Sequence, residues 1–462
     1  TNTVVRDTSG VPGLRALLAL LVALTCLTAV VAAPSATADA PAFTDADGIT
    51  VVSSQQVDDR LYSLSVATAA LGRAVRLRVL LPDGYAADPA RHYPVLYLLH
   101  GTSGGADDWL TEGDVRATTG GLPLIVVMPD GGFDNDGGGW WTNWWDTGTA
   151  LGPSRWETFH IDQLIPWVDA NLRTIASRAG RAIAGLSQGG FGAFTYAARH
   201  PDLFAAAGSL SGAPDIASNP VIEGGATAVI AYTASALDGV EPAAMFGPHG
   251  TNEINWKGRN PQTLVTNMRG MGLFLYTASG VPGALDGPKP DLAASGIEGI
   301  THISTLSFAR AARTAGIPFY LDDYRYGTHI WPYWARDLRD LVPRLMQVFA
   351  QPSAPTTVAY KSIDVPWSQW GWTVVNQRAQ KRAFSSLTGA TAAGFTVSGF
   401  GTATVTTPAA YGPGSLHPVV RRDSSGLHTL GVVADGAGRL TVDVNLHTFL
   451  NANPGTATVR IG

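Results

Sequence analysis

Two pentapeptides of the form Gly-x-Ser-x-Gly occur in this 462-residue chain, and their surroundings separate them. In Gly185-Leu186-Ser187-Gln188-Gly189 the serine follows a short apolar run, Ala182-Ile183-Ala184, and precedes residues 191–198, which read as a helix. Strand, sharp turn and helix lift a serine hydroxyl clear of a sheet. In Gly101-Thr102-Ser103-Gly104-Gly105 a strand precedes the serine, but residues 104–108 read as loop. Ser187 is therefore the candidate nucleophile. A serine hydroxyl needs a base to take its proton and an acid to orient that base. On an elbow of this kind the chain order is serine, acid, histidine. His329 fits: it follows an expected strand at 318–322 through Tyr324-Arg325-Tyr326-Gly327-Thr328 and precedes the last helix. His302 falls within an expected helix at about 301–315, and His249 lies upstream in a Gly/Pro loop. For the acid, Asp286, Asp291 and Glu298 occupy the right interval, and Asp322 and Asp323 sit at a strand end. Spacing does not choose among them. The backbone N–H of Gln188 is one expected oxyanion donor, and the loop His100-Gly101-Thr102 is placed to give a second.

Such residues need a rigid sheet beneath them. Residues 61–69 and 74–81 alternate as strands, and 94–99 and 124–128 are continuous apolar runs, as strands buried on both faces are. Further strands are expected at 205–210, 273–276 and 318–322, with helices at 156–175, about 301–315 and 334–349. Alternating strands and helices predict a mostly parallel central sheet, with the chemistry at the strands' carboxyl ends. Residues 351–357 (Gln-Pro-Ser-Ala-Pro-Thr-Thr) read as a linker. The runs 395–398, 402–406, 439–444 and 456–461, divided by Gly, Pro and Asn turns, predict an all-β sandwich-like domain over 358–462. The expected organisation is a catalytic domain at 41–350 with that module appended.

Arg6 and Arg15 precede an apolar run from 16 to 33, followed by Ala36-Thr37-Ala38 and Ala38-Asp39-Ala40. A charged start, an apolar middle and an A-x-A end predict a secretory signal peptide over 1–40, with an uncleaved N-terminal anchor as the alternative, and so an extracellular or cell-envelope-associated protein. Cys26, the single cysteine, lies inside this run, so the processed chain would have neither disulfide nor thiol chemistry. A net charge of -5 without a basic stripe argues against a nucleic-acid partner. No other stretch is long and apolar enough to span a membrane.

The chain resembles the antigen 85 mycolyltransferase branch of the esterase D-like α/β-hydrolases. The resemblance covers about residues 60–350. It rests on Gly185-Leu186-Ser187 with Arg155-Trp156-Glu157-Thr158-Phe159 upstream, and on Val127-Met128-Pro129 with Gly131-Gly132. Phe246-Gly247-Pro248, Trp256 with Asn260-Pro261, and Gly327-Thr328-His329 followed by Trp331, Tyr333 and Trp334 agree with it. It implies an α/β-hydrolase with Ser187 as nucleophile, His329 as base and Thr102 as the second oxyanion donor. The family's acid is a glutamate in a Glu-Gly pair ahead of the helix that precedes the histidine's strand; Glu298-Gly299 matches it, which points to Glu298. The chain departs from the family at His100, where the mycolyltransferases carry an aspartate, and at Ser103 and Gly104, where they carry an arginine. Those charged groups help hold trehalose, so the departure tilts the expectation toward hydrolysis.

Trp140, Trp141, Trp144 and Trp145 cluster in a Gly-rich loop, where they can line an acyl channel, stack on a sugar, or pack on themselves as a lid. Trp140, Trp141, Trp144 and His100 are the candidate substrate contacts. The C-terminal domain is expected either to bind a cell-envelope polysaccharide, for which Trp367, Trp370 and Trp372 offer aromatic surface, or simply to brace the catalytic domain. Asp134-Asn135-Asp136-Gly137 lacks the later ligands of a calcium loop, and no metal or cofactor motif appears, so neither a metal nor a cofactor is expected. The reading is a secreted serine esterase acting on an acyl lipid or acylated carbohydrate. The alternatives are an acyltransferase delivering the acyl group to a sugar hydroxyl, and a non-catalytic cell-surface carbohydrate-binding protein.

Overall fold

The computed structural model describes residues 40–134, 138–448 and 450–462. The expected leader, apart from Ala40, lies outside the described residues, as do Cys26 and Asn135, Asp136 and Gly137 of the acidic turn. The main sheet has nine strands: β1 (Ile49–Gln56), β2 (Leu61–Thr68), β3 (Val75–Leu80), β4 (Val95–Leu99), β5 (Ile125–Pro129), β6 (Arg181–Leu186), β7 (Ala206–Leu210), β8 (Gly272–Thr277) and β9 (Tyr320–Asp323). Their spatial order is β1-β2-β3-β5-β4-β6-β7-β8-β9. The first three pair antiparallel and β3 joins β5 antiparallel; from β5 to β9 every pairing is parallel. This is the mostly parallel sheet that the alternating pattern predicts, and the α/β-hydrolase fold that the resemblance implies.

The continuous apolar runs have the cause expected of them. Leu96 and Leu98 of β4 pack with Leu338, Leu341 and Leu345 of the last helix, Trp331–Ala350, on one face. Val95, Tyr97 and Leu99 pack on the other face with Phe159, Leu164 and Phe194. Residues expected as one helix at 156–175 form a π-helical turn, Thr158–Leu164, that runs into an α-helix, Ile165–Asn171. β1 and the helix Pro220–Tyr232 are additions to the sequence reading. The helix expected near 301–315 starts nine residues earlier, at Leu292, because Asp291 caps it by accepting from the N–H groups of Ala293 and Ala294.

Residues after 357 form two antiparallel sheets: β10 (Val358–Ser362), β13 (Ser385–Thr391), β14 (Gly394–Gly399), β19 (Gly455–Ile461), β16 (Leu416–Asp423) and β17 (Gly426–Val433) in one, in that order. The other holds β11 (Trp367–Gln369), β12 (Trp372–Gln377), β15 (Thr402–Thr406) and β18 (Thr441–Asn445). Val374, Leu387, Val397, Val405 and Val459 fill the space between them. Trp367 and Trp372, expected to offer binding surface, are buried in this core instead, because strand alternation turns both inward. Trp370 is half-buried against the α/β region, where its backbone N–H donates to Asp202 at 2.9 Å and Arg178 covers its ring.

The β module is docked on the far end of the helix that begins after Ser187, Gln188–Arg199. Buried Arg199 donates to Glu157 at 2.7 Å and to Asp364 at 2.9 Å, and Tyr360 donates to Arg199 O at 2.7 Å. Asn267 ties Ala198 O to the backbone of Lys361.

Candidate active site

β6 ends in a turn that no relaxed residue would adopt. Ser187 has φ 52° and ψ -123°, a conformation costly to a residue with a side chain and held only where the surroundings impose it. The Ser187 N–H donates to Leu210 O at 2.9 Å, and the helix starts at the next residue. At Gly189 an added Cβ would run into His100 O, and at Gly185 into the backbone of Gly189. The small residues of the pentapeptide therefore let strand, helix and the His100 loop close on one another.

The structure brings Ser187, His329 and Glu298 together. Ser187 Oγ lies 2.8 Å from His329 Nε2, and His329 Nδ1 lies 2.7 Å from Glu298 Oε2. Glu298 is fully buried. Its Oε1 accepts from Ser211 Oγ and from the Ala278 N–H, both at 2.9 Å, so the carboxylate is oriented from two strand ends. Because Glu298 accepts, Nδ1 carries the imidazole proton and Nε2 faces the serine hydroxyl as an acceptor. The His329 ring stands edge-on to Trp334 at 4.9 Å, which fixes its plane. One detail differs from the family pattern: Glu298 lies inside the long helix Leu292–Thr314 rather than ahead of it.

The other carboxylates and histidines have other partners. Asp286 accepts from Thr328 Oγ1, from Tyr333 OH at 2.8 Å and from the Gly283 N–H at 2.7 Å, bracing the loop that carries His329. Asp291 is the helix cap, Asp322 pairs with Arg336 at 2.8 Å, and Asp323 pairs with His302 at 2.9 Å. His249 packs edge-on to Trp256. Among the described residues, Glu223, His249 and Glu253 bring ligand atoms within 4.8 Å of one another, and Glu253 is also paired with Lys257 at 3.3 Å.

Gln188 and Thr102 face each other across the mouth of the site, with Gln188 Nε2 donating to Thr102 Oγ1 at 3.0 Å. Gln188 Oε1 accepts from the Trp140 N–H at 3.3 Å, so one side chain ties three loops together. His100 lies buried beneath them. The Gly131 N–H donates to its Nε2 and its Nδ1–H donates to Gly101 O, each at 2.8 Å. Trp141 is wholly buried between His100 and His160, and Trp144 is buried with its indole N–H on Gly139 O. Trp140 alone of the cluster lines a cavity beside Ser187, and its indole N–H is held by Thr233 at 2.7 Å. Trp145 is exposed and covered by Arg382 of the β module. The loop is thus largely core, packed on its own aromatic rings.

Two cavities meet at the serine. An inner chamber of about 530 Å³, counting the solvent at its mouth and far narrower within, is walled by Ala213, Ile216, Ile222, Ala226 and Ile300, with Asp215 and Ser304 also in its lining. An outer cleft of about 1480 Å³, counting its open mouth, is lined by Asp108, His329, Trp331 and Trp334. Thr102, Ser187, Val229 and Ile297 belong to both. The inner wall comes from the helix Pro220–Tyr232, which sequence periodicity did not reveal because it is rich in Gly and Ala. The pair Asn219-Pro220, a cap followed by proline in the first turn, was the available signal; Asn219 does accept from the N–H groups of Val221 and Ile222.

The Esterase family profile matches residues 68–345. The chain is 35% identical over 310 residues to esterase Rv1288 of Mycobacterium tuberculosis, a match covering 65% of this chain and 63% of that protein. It thus spans less than two thirds of the length of that relative. It is 32% identical over 301 residues to the diacylglycerol acyltransferase/mycolyltransferase Ag85B of Mycobacterium leprae, covering 61% of this chain and 82% of that one. The crystal structure of Mycobacterium tuberculosis MPT51 (FbpC1) superposes with a TM-score of 0.51 at 26% identity, over 62% of this chain and 97% of that chain.

Proposed function

This chain belongs to the Esterase family, and from that premise we propose that it is a serine ester hydrolase working through an acyl-enzyme on Ser187. The observation that carries the reading is the hydrogen-bonded series Ser187–His329–Glu298, set where two cavities meet. His329 Nε2 takes the hydroxyl proton as Ser187 Oγ bonds to the ester carbonyl carbon. The N–H groups of Gln188 and Thr102 receive the developing oxyanion; Gln188 opens a helix, where the first N–H groups lack intrahelical acceptors. Collapse of the tetrahedral adduct breaks the bond to the alcohol oxygen, which leaves with the proton from His329. Water then repeats the sequence, frees the acid and restores Ser187. Glu298 keeps the imidazole in the required tautomer throughout.

The leaving oxygen must be protonated by His329, and His329 lines only the outer cleft. That side therefore takes the alcohol, and the apolar inner chamber takes the acyl chain. The same openness beside His329 admits water. An acyltransferase is the second reading, favoured by the names of the Ag85 relatives at 30–32% identity. His100 speaks against a trehalose acceptor, since both ring nitrogens are taken up in holding loops together. Export is part of the proposal and rests on the order of charged, apolar and A-x-A residues over 1–40.

The test is turnover of p-nitrophenyl esters of short and long chain by wild type, Ser187→Ala and Glu298→Gln, with and without trehalose or glucose. Free acid as the product, abolished in Ser187→Ala and reduced about 10³- to 10⁴-fold in Glu298→Gln, is expected from the roles assigned. Acyl-sugar as the main product would replace hydrolysis by transfer. No turnover of any ester by wild type would refute both and favour a binding protein.

A further inference from the structure

The inner chamber is walled by two helices whose outer faces are also apolar. On Pro220–Tyr232 the exposed positions after Pro220 are Val221, Gly224, Ala228 and Tyr232, spaced so that they form one stripe. On Leu292–Thr314 they include Leu292, Gly296, Ile297, Ile300 and Ile303, again one stripe. Val221 is 71% exposed and Leu292 85% exposed, both in the first turn beside their caps. The helices meet closely where Gly225 faces Ile300: a Cβ there would stand 3.0 Å from its Cγ2.

Charge is nearly absent from this collar. Pro220–Tyr232 carries only Glu223, and residues 292–303 carry only Glu298, which is buried on His329, and His302, which is paired with Asp323. Soluble proteins seldom leave contiguous apolar surface without a use, and a protein partner's interface would be expected to have a polar rim. The patch is also continuous with the site. Ile297 and Val229 line both cavities, and Tyr232 and Ala293 line the outer cleft. The collar residues that reach these cavities, Val229, Tyr232, Ala293 and Ile297, carry no charge.

We propose that this two-helix collar docks on an uncharged or zwitterionic lipid surface and draws its ester substrate from that surface, acyl chain first, into the inner chamber. The inference rests on the esterase reading for its chemistry but not for its binding. Burial of apolar area drives such docking, and with no basic residues in the collar it should be insensitive to salt.

The experiment is sedimentation of the full chain, carrying Ser187→Ala, with phosphatidylcholine vesicles at low and high salt. The comparison is the same chain with Val221→Glu, Leu292→Glu and Ile303→Glu, three side chains that line neither cavity. Salt-independent binding, weakened about ten-fold or more by the three substitutions, is expected. The triple variant with Ser187 intact should keep its kcat/KM on a soluble acetyl ester and lose about ten-fold or more on an emulsified long-chain ester. Its unfolding midpoint should match wild type, and Leu292→Ser alone gives a milder variant with an intermediate loss. Equal vesicle binding by both chains, or none by either, overturns the proposal. So does a dimer that the substitutions dissociate without any vesicle binding, since the collar would then be covered by a second copy. Failure of the esterase reading shows separately, as wild type inactive on every soluble ester.

Discussion

Acid should unfold this protein partly through one histidine remote from the serine. His160 lies in the π-helical turn, buried against Trp141 and Trp156. Its Nε2–H donates to Asp130 O at 2.8 Å, and Tyr196 OH donates to its Nδ1 at 2.9 Å, so the folded state holds the neutral ring. Burial pulls its pKa down from 6.5 to about 3, against a smaller opposing effect of the bond to Asp130. Between those values the unfolded chain carries a proton that the folded chain does not. Its contribution is therefore complete above 6.5 and is lost as pH falls, at about 1.4 kcal/mol per pH unit, or about 3 kcal/mol by pH 4. His160→Gln keeps a donor for Asp130 O and an acceptor for Tyr196 but removes the titration. Urea-unfolding free energies of both proteins between pH 7 and pH 4 measure the effect. The expected result is a neutral-pH cost in the variant and a gap that narrows or reverses toward pH 4. Parallel curves over that range would show that His160 is not held neutral, and the reasoning would fail.

Three further outcomes follow from charge pairing and packing. Glu157→Gln leaves buried Arg199 short of its nearer counter-charge and should cost about 3 kcal/mol in unfolding free energy, whereas pairing it with Arg199→Met should recover part of that loss. Asp364→Asn should cost about 1 kcal/mol or less, because that side chain is 43% exposed and its charge is screened. Gly189→Ala would press a Cβ on His100 O and Leu99 O, so it should cost about 1–3 kcal/mol and also lower kcat by displacing the Thr102 loop; an unchanged kcat would mean that the loop yields without moving its donors.

What could be read from the residues alone was local chemistry and two-sided burial. Ser187 and the strands around it were legible because the elbow needs small residues at fixed offsets and because strands buried on both faces are continuous apolar runs. The acid was not legible from spacing, because five carboxylates satisfied the chain order. What separates them is three-dimensional: only Glu298 is aimed at His329 by Ser211 and Ala278, from strand ends remote in sequence. Its helix was expected to start late because Gly296 and Gly299 weaken the helical signal, while the Asp291 cap overrides them. The tryptophans could be read only as a choice between lining the site and packing on themselves, for a related reason. Trp140 and Trp141 both adopt positive φ, near 50°, yet Trp140 lines the inner cavity and Trp141 is wholly buried, and no pattern of residue types reports that.

The helix Gln188–Arg199 joins two features that sequence treats as separate. At its start the strained Ser187 must be held in place by its surroundings; at its end, twelve residues and about 18 Å away, the buried Arg199 is clamped. One clamp is Glu157, from the catalytic region, but Asp364 and Tyr360 come from the β module. The module's tryptophans are spent on its own core and on this junction rather than on solvent. Its contacts are therefore those of a brace. A helix fixed at its far end cannot relax the elbow by sliding, so loosening Asp364 or Tyr360 should register at Ser187, as a lower kcat, before it registers as unfolding.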